Sequence, residues 1–265
     1  MSKLCMFCGR NDIKITKEHV FPDWLNQLFD SSIKGINESV TLDGRVVYRY
    51  ESKLFSRTIN DVCETCNSGW MSNLENEVKP ILTKMLRSKN IVLDKVKQRR
   101  LATWAYKTML VMNYQNPPPP EQQIIPESAY SDFYETKTIA QGLIFTLGYV
   151  PWKTFHPGSM LGTNRVTQAS KITVPHELGD EMKKEIAKGA KIYGVTLQLA
   201  TVVFQFMTTD IKLENHHIDL MISPEPLKVL NPYKNKIRWP LQHSIQEVGG
   251  IDAIHNSITN MQPLP

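Results

Sequence analysis

Two C-x-x-C pairs, Cys5-Met6-Phe7-Cys8 and Cys63-Glu64-Thr65-Cys66, stand on either side of a long segment and account for all 4 cysteines of the 265-residue chain. Each pair offers two thiolates at the bite a zinc ion takes, with sulfurs about 2.3 Å from the metal. Four thiolates fill the tetrahedron and leave no open position, so such an ion is structural. Between the pairs lie Glu18-His19 and Pro22, and the second pair runs straight into Asn67. An acid, an imidazole and an amide are the ingredients of a second metal site, distinct from the sulfur site in ligand type.

These groups need elements to hold them. Gly9 follows the first pair where a zinc knuckle turns with positive φ. Ile13-Lys14-Ile15-Thr16 alternates apolar and polar residues as a strand does, and it delivers Glu18-His19 at its end. Pro22 turns the chain into a short helix over Asp23 to Phe29. Asp43-Gly44, between Val40-Thr41-Leu42 and Val46-Val47-Tyr48, predicts a hairpin after a polar, turn-rich stretch from Asp30. Leu54 to Ile59 reads as a strand leading to Cys63. Met71, Leu74, Val78, Ile81, Leu82 and Met85 then recur at helical spacing, with Glu75 and Glu77 early and Lys84 and Arg87 late.

A second helix is predicted from Asp94 to Tyr114, almost wholly apolar after Leu101. From Lys84 to Lys107 there are eight Lys or Arg against the single acid Asp94, a stretch suited to phosphates if it is not simply a solvated face. The four prolines Pro117 to Pro120 read as a stiff spacer. Beyond them the pattern predicts a helix over Pro126 to Thr136 and strands over Gln141 to Val150, Ser170 to Val174, Tyr193 to Thr208 and Ile218 to Ile222. A helix is expected over His176 to Lys188. Between Leu199 and Val202 the apolar side changes parity, which predicts a bulge or turn near Ala200. The fold class is α+β, with a zinc-braced module over residues 1–90, a helical connector and proline linker over 91–120, and a β-rich domain over 121–265.

Taken together, Cys5 and Cys8, Glu18-His19-x-x-Pro22, and C-x-x-C-N-x-G at Cys63, Cys66, Asn67 and Gly69 resemble the HNH endonucleases with a ββα-metal core, in the subclass braced by a four-cysteine zinc. The resemblance spans about residues 5–78. It implies hydrolysis of phosphodiester bonds in DNA, RNA remaining open, with His19 as general base and one Mg²⁺ or Mn²⁺ held by Glu18 and Asn67. An imidazole with an unperturbed pKa of about 6.5 accepts a proton near neutrality. The family's middle Asn, which orients the histidine, is matched most nearly by Asn60. Four features depart from the pattern: Glu18 stands for the usual Asp, Thr58 occupies the usual place of that Asn, Trp70 replaces a common basic residue, and the segment between His19 and Cys63 is longer than usual. Compact nucleases of this type resemble effectors of bacterial defence systems and mobile elements.

Composition sets outer limits. Net charge is +5, which accommodates a polyanion without demanding one. No apolar run reaches the roughly 18 residues of a membrane helix, and Met1-Ser2-Lys3-Leu4 runs directly into Cys5 without an apolar signal segment. The reading is a cytoplasmic protein with reduced thiols. Two other functions fit the same residues: a non-catalytic zinc-braced module that binds nucleic acid or a partner protein, and a scaffold whose C-terminal domain senses a ligand. His216-His217 reads as a loop pair.

Overall fold

The computed structural model describes residues 3–29, 34–40, 46–53, 55–115, 125–140, 142–151, 162–167, 192–209, 227–231 and 235–248. Among them helices and antiparallel sheets are mixed, an α+β architecture. They form two compact units. Unit 1 takes in residues 3–83 and continues past the expected boundary near 90 to include 103–138; unit 2 takes in 84–102 and the described residues from 139 onward. The proline run, the hairpin turn at Asp43-Gly44, the strands expected at 170–174 and 218–222, the helix expected at 176–188 and the pair His216-His217 all lie outside the described residues.

In unit 1, β1 (Ile15–His19) pairs antiparallel with β4 (Thr58–Cys63), and the hairpin of β2 (Lys34–Val40) and β3 (Val46–Lys53) lies between them in sequence. β2 occupies part of the stretch read as turn-rich, where residues from Lys34 to Ser39 pair in unbroken register with β3 and the register shifts before Val40. Register slips once along β1 and β4: Thr16 faces Val62 but Glu18 faces Ile59, so two steps on one strand answer three on the other. This bulge puts Ile59 and Val62, three residues apart, on the same buried face, which a regular strand with period 2 does not allow.

The chain leaves β4 through a π-turn at Cys66–Met71, irregular at Gly69 (φ −90°, ψ −107°), and enters α1 (Ser72–Leu86). A π-turn widens the helix by one residue per turn and is favoured where a local site overrides regular geometry. Residues from Thr103 onward of α2 (Lys95–Gln115) and all of α3 (Ser128–Thr136) complete the unit. Their aromatic side chains close the core around the knuckle. Phe7 meets Trp70 edge-on at 5.2 Å, Trp70 meets Phe133 at 5.6 Å, and Tyr106 meets Phe133 at 5.1 Å. Such T-shaped pairs add about 0.5–1.5 kcal/mol each beyond their area. Burial accordingly pushes the Tyr106 phenol up to about 12.

In unit 2, five antiparallel strands run in the order β10 (Lys228–Asn231), β6 (Ile144–Tyr149), β9 (Val202–Thr209), β8 (Ile192–Leu199) and β7 (Gly162–Thr167). Phe145, Leu147, Leu197, Leu199, Phe204 and Phe206 bury one face, with Phe145 stacked on Phe206 at 4.2 Å. The parity change resolves into a two-residue turn at Ala200-Thr201, with Ala200 at φ +48° and Leu199 facing Val202. A two-stranded ladder joins β5 (Ile91–Leu93) to β11 (Ile237–Trp239). The carbonyl of Met85, at the end of α1 where backbone acceptors lack helical partners, receives the Thr201 hydroxyl at 2.8 Å and the Trp239 indole N–H at 3.1 Å.

Candidate metal centre and the His19 site

Cys5 and Cys8 are positioned by the knuckle. Gly9 turns at φ +68° and donates its N–H to the Cys5 carbonyl at 2.9 Å, while the Met6 N–H reaches the Asp61 carbonyl of β4 at 2.8 Å. Cys63 ends β4 and Cys66 opens the π-turn, so the second pair sits where strand becomes helix. The four Sγ atoms lie within 4.8 Å of one another, and Cys8 and Cys63 are 3.6 Å apart. A tetrahedron of sulfurs about 2.3 Å from zinc has edges of about 3.8 Å, so the cluster has the size of a Cys₄ site.

The surroundings suit thiolates. The Cys63 N–H donates to Cys5 Sγ at 3.4 Å. A hydrogen bond from the Cys66 thiol, with smaller help from backbone donors against the cost of burial, pulls Cys5 down to about 4, and the same bond together with burial drives Cys66 upward. Metal binding to such a cluster displaces the thiol protons. The buried Trp70 indole N–H has no hydrogen-bond partner of good geometry, yet it stands near enough to Cys66 to favour its thiolate. Lys137 Nζ lies 4.7 Å from the Trp70 ring centroid; burial pulls its ammonium below the ordinary lysine value, with Cys66 opposing. Four soft sulfurs with cationic and N–H donors around them fit structural zinc.

His19, at the last position of β1, is half-buried and faces Thr58 across the ladder. No hydrogen bond to its ring occurs among the described residues. Asn67, in the π-turn, donates its side-chain N–H to Thr16 Oγ1 at 3.0 Å and to the Lys17 carbonyl at 3.2 Å. Both donors of the amide are thus committed to β1, three and two residues before His19, and the carbonyl oxygen is the atom left for a ligand. Asn60 is exposed and belongs to the extra length of β4 at the bulge, two residues beyond the partner of His19.

Glu18 points inward and is only 6% exposed. Its Oε1 accepts from Lys107 Nζ at 3.2 Å, and the same ammonium donates to Glu75 Oε1 at 2.9 Å. Lys107 is wholly buried on α2. Burial works against the ammonium, but the two carboxylates outweigh it and hold Lys107 above its ordinary value; burial likewise raises Glu18, Lys107 opposing. The second Glu18 oxygen has no hydrogen-bond partner among the described residues.

The chain matches no family model, no curated protein and no solved structure. The site therefore rests on its own geometry. Sequence reasoning placed Lys107 in a basic run, whereas Lys84, Arg87, Lys89, Lys95 and Arg99 are exposed and Lys107 is not. The signal was a lone cation in the apolar run Leu101-Ala102-Thr103-Trp104-Ala105-Tyr106-Lys107-Thr108-Met109-Leu110-Val111. A charge there needs a buried counter-charge, and Glu18 and Glu75 supply it.

Proposed function

We propose that the protein is a metal-dependent endonuclease of HNH type, hydrolysing phosphodiester bonds in DNA, with the cysteine cluster holding zinc as a brace. The observation supporting this reading is the pair of hydrogen bonds by which Asn67, at the helix start, holds Thr16 and Lys17 of β1, the strand that ends at His19, next to a cluster of four cysteine sulfurs. His19 takes the proton of the attacking water. Glu18 and Asn67 offer the oxygens for Mg²⁺ or Mn²⁺, which when bound supplies positive charge against the phosphate and the departing 3′ oxygen. A reducing, intracellular setting would keep the four thiols available.

A second reading is favoured by two specific observations. Glu18 is already engaged by Lys107, and Asn60 is exposed, with no hydrogen bond to His19 among the described residues. Both suit a module that holds nucleic acid without cutting it. Incubation of supercoiled plasmid with Mg²⁺ or Mn²⁺ separates the two. Nicking or linearisation by the wild type, lost by about 10²-fold or more in a folded, zinc-loaded His19→Ala variant, supports the endonuclease. Equal cleavage by that variant removes His19 from the chemistry, and retention of DNA on a gel without cleavage favours the binding module. A parallel RNA substrate tests the nucleic-acid class.

A further inference from the structure

Buried lysines are costly, and this one stands at the heart of unit 1. Lys107 has no exposed surface, and its two hydrogen-bonded partners come from two other elements: Glu18 from the end of β1 and Glu75 from the first turn of α1. A buried ammonium that joins two carboxylates holds both, because displacing either leaves the buried Lys107 charge poorly compensated. Glu75 is partly exposed at 22% of its side chain, Glu18 at 7%. The triad therefore tethers the innermost residue of β1, the immediate neighbour of His19, to two helices. Nothing in an inert zinc ribbon requires this. A packed methionine or leucine of similar volume would fill the same space without the desolvation cost.

The geometry points to Lys107 as a positioning residue for the His19 site: it clamps Glu18 Oε1 so that the remaining carboxylate oxygen and the adjacent imidazole keep one orientation at the end of β1. The inference rests on the endonuclease reading for its chemical purpose, but the clamp itself is a structural statement that can be tested without cleavage. Groups that orient a ligating carboxylate characteristically change metal affinity or activity by about 10- to 100-fold when removed. Glu18 here has such a group on one oxygen and, among the described residues, none on the other.

The test uses the full-length, zinc-loaded chain and the variants Lys107→Met, Glu75→Gln and the double variant Lys107→Met/Glu18→Gln. Two readouts run together: plasmid cleavage kinetics in Mg²⁺, and imidazole NMR signals of the ¹⁵N-histidine-labelled protein at one fixed pH, with the His19 signal assigned by its loss in His19→Ala. The expected result for Lys107→Met is a kcat lower by about 10- to 100-fold with KM for plasmid unmoved, and a His19 signal that shifts while the other histidines keep theirs. Glu75→Gln should shift the same signal less. The double variant, which no longer strands a buried carboxylate at position 18, should regain the zinc content and melting temperature that Lys107→Met loses.

If Lys107→Met fails to fold, the partly exposed Glu75 provides the decision: a moved His19 signal in Glu75→Gln upholds the clamp and an unmoved one overturns it. A folded Lys107→Met with the His19 signal and kcat of the wild type also overturns it. Should the wild type cut no nucleic acid, the endonuclease reading fails, and the NMR comparison alone still decides whether Lys107 sets the position of His19.

Discussion

Cys63 occupies a fully buried position where β4 meets the π-turn, and its backbone N–H already serves Cys5. Replacing it with Ser removes one thiolate from four and offers a harder, weakly acidic hydroxyl in its place. Metal analysis of Cys63→Ser should show zinc falling well below one ion per chain. The melting temperature should fall by about 10 °C or more, since metal binding energy is folding energy and each kcal/mol is about 2–4 °C at this size. A variant with unchanged zinc and stability would sink the sulfur site. At this scale the cysteines were legible because spacing alone encodes a bite. Lys107 was not, because a lysine code looks the same in a solvated run and in a buried triad; only the partners Glu18 and Glu75, 89 and 32 residues away, distinguish them. The role of Trp70 and Lys137 beside Cys66 was hidden in the same way.

Strands and helices were read more easily where side-chain period was clean. The parity change near Ala200 announced the turn between β8 and β9, and the apolar stripe from Met71 announced α1. The bulge in β4 was not visible, because it answers the core's demand for both Ile59 and Val62, which are three residues apart. β6 shows the same dependence on neighbours. Gly148 lies within it, and a methyl group added there would meet Ile245 Cγ2 at 2.9 Å, Leu227 Cδ2 at 3.0 Å and Val203 Cβ at 3.4 Å. Val150 belongs to the same buried cluster. A strand glycine ordinarily gains from substitution by alanine through reduced backbone entropy, but here overpacking governs the sign. Gly148→Ala should destabilise by about 1–3 kcal/mol, read as a drop in melting temperature, and a variant as stable as the wild type would show that the cluster yields.

Across the whole molecule, the boundary drawn from composition followed the proline run, whereas compactness follows contacts that composition does not record. Unit 1 draws Tyr106, Lys107, Tyr130 and Phe133 from the far side of residues 84–102. A fragment ending at residue 90 keeps the four cysteines but leaves Phe7 and Trp70 without Phe133 and leaves Glu18 without its ammonium. Such a fragment should bind zinc yet lack a cooperative thermal transition, whereas one carried through residue 138 should retain more of it; sharp melting of the shorter piece would contradict the packing described. There is a topological corollary. Because the segment 84–102 of one unit is threaded between 83 and 103 of the other, no single break in the backbone sorts the polypeptide into its two bodies. A protease that nicks it once, or a gene cut once, yields at least one piece that carries part of both.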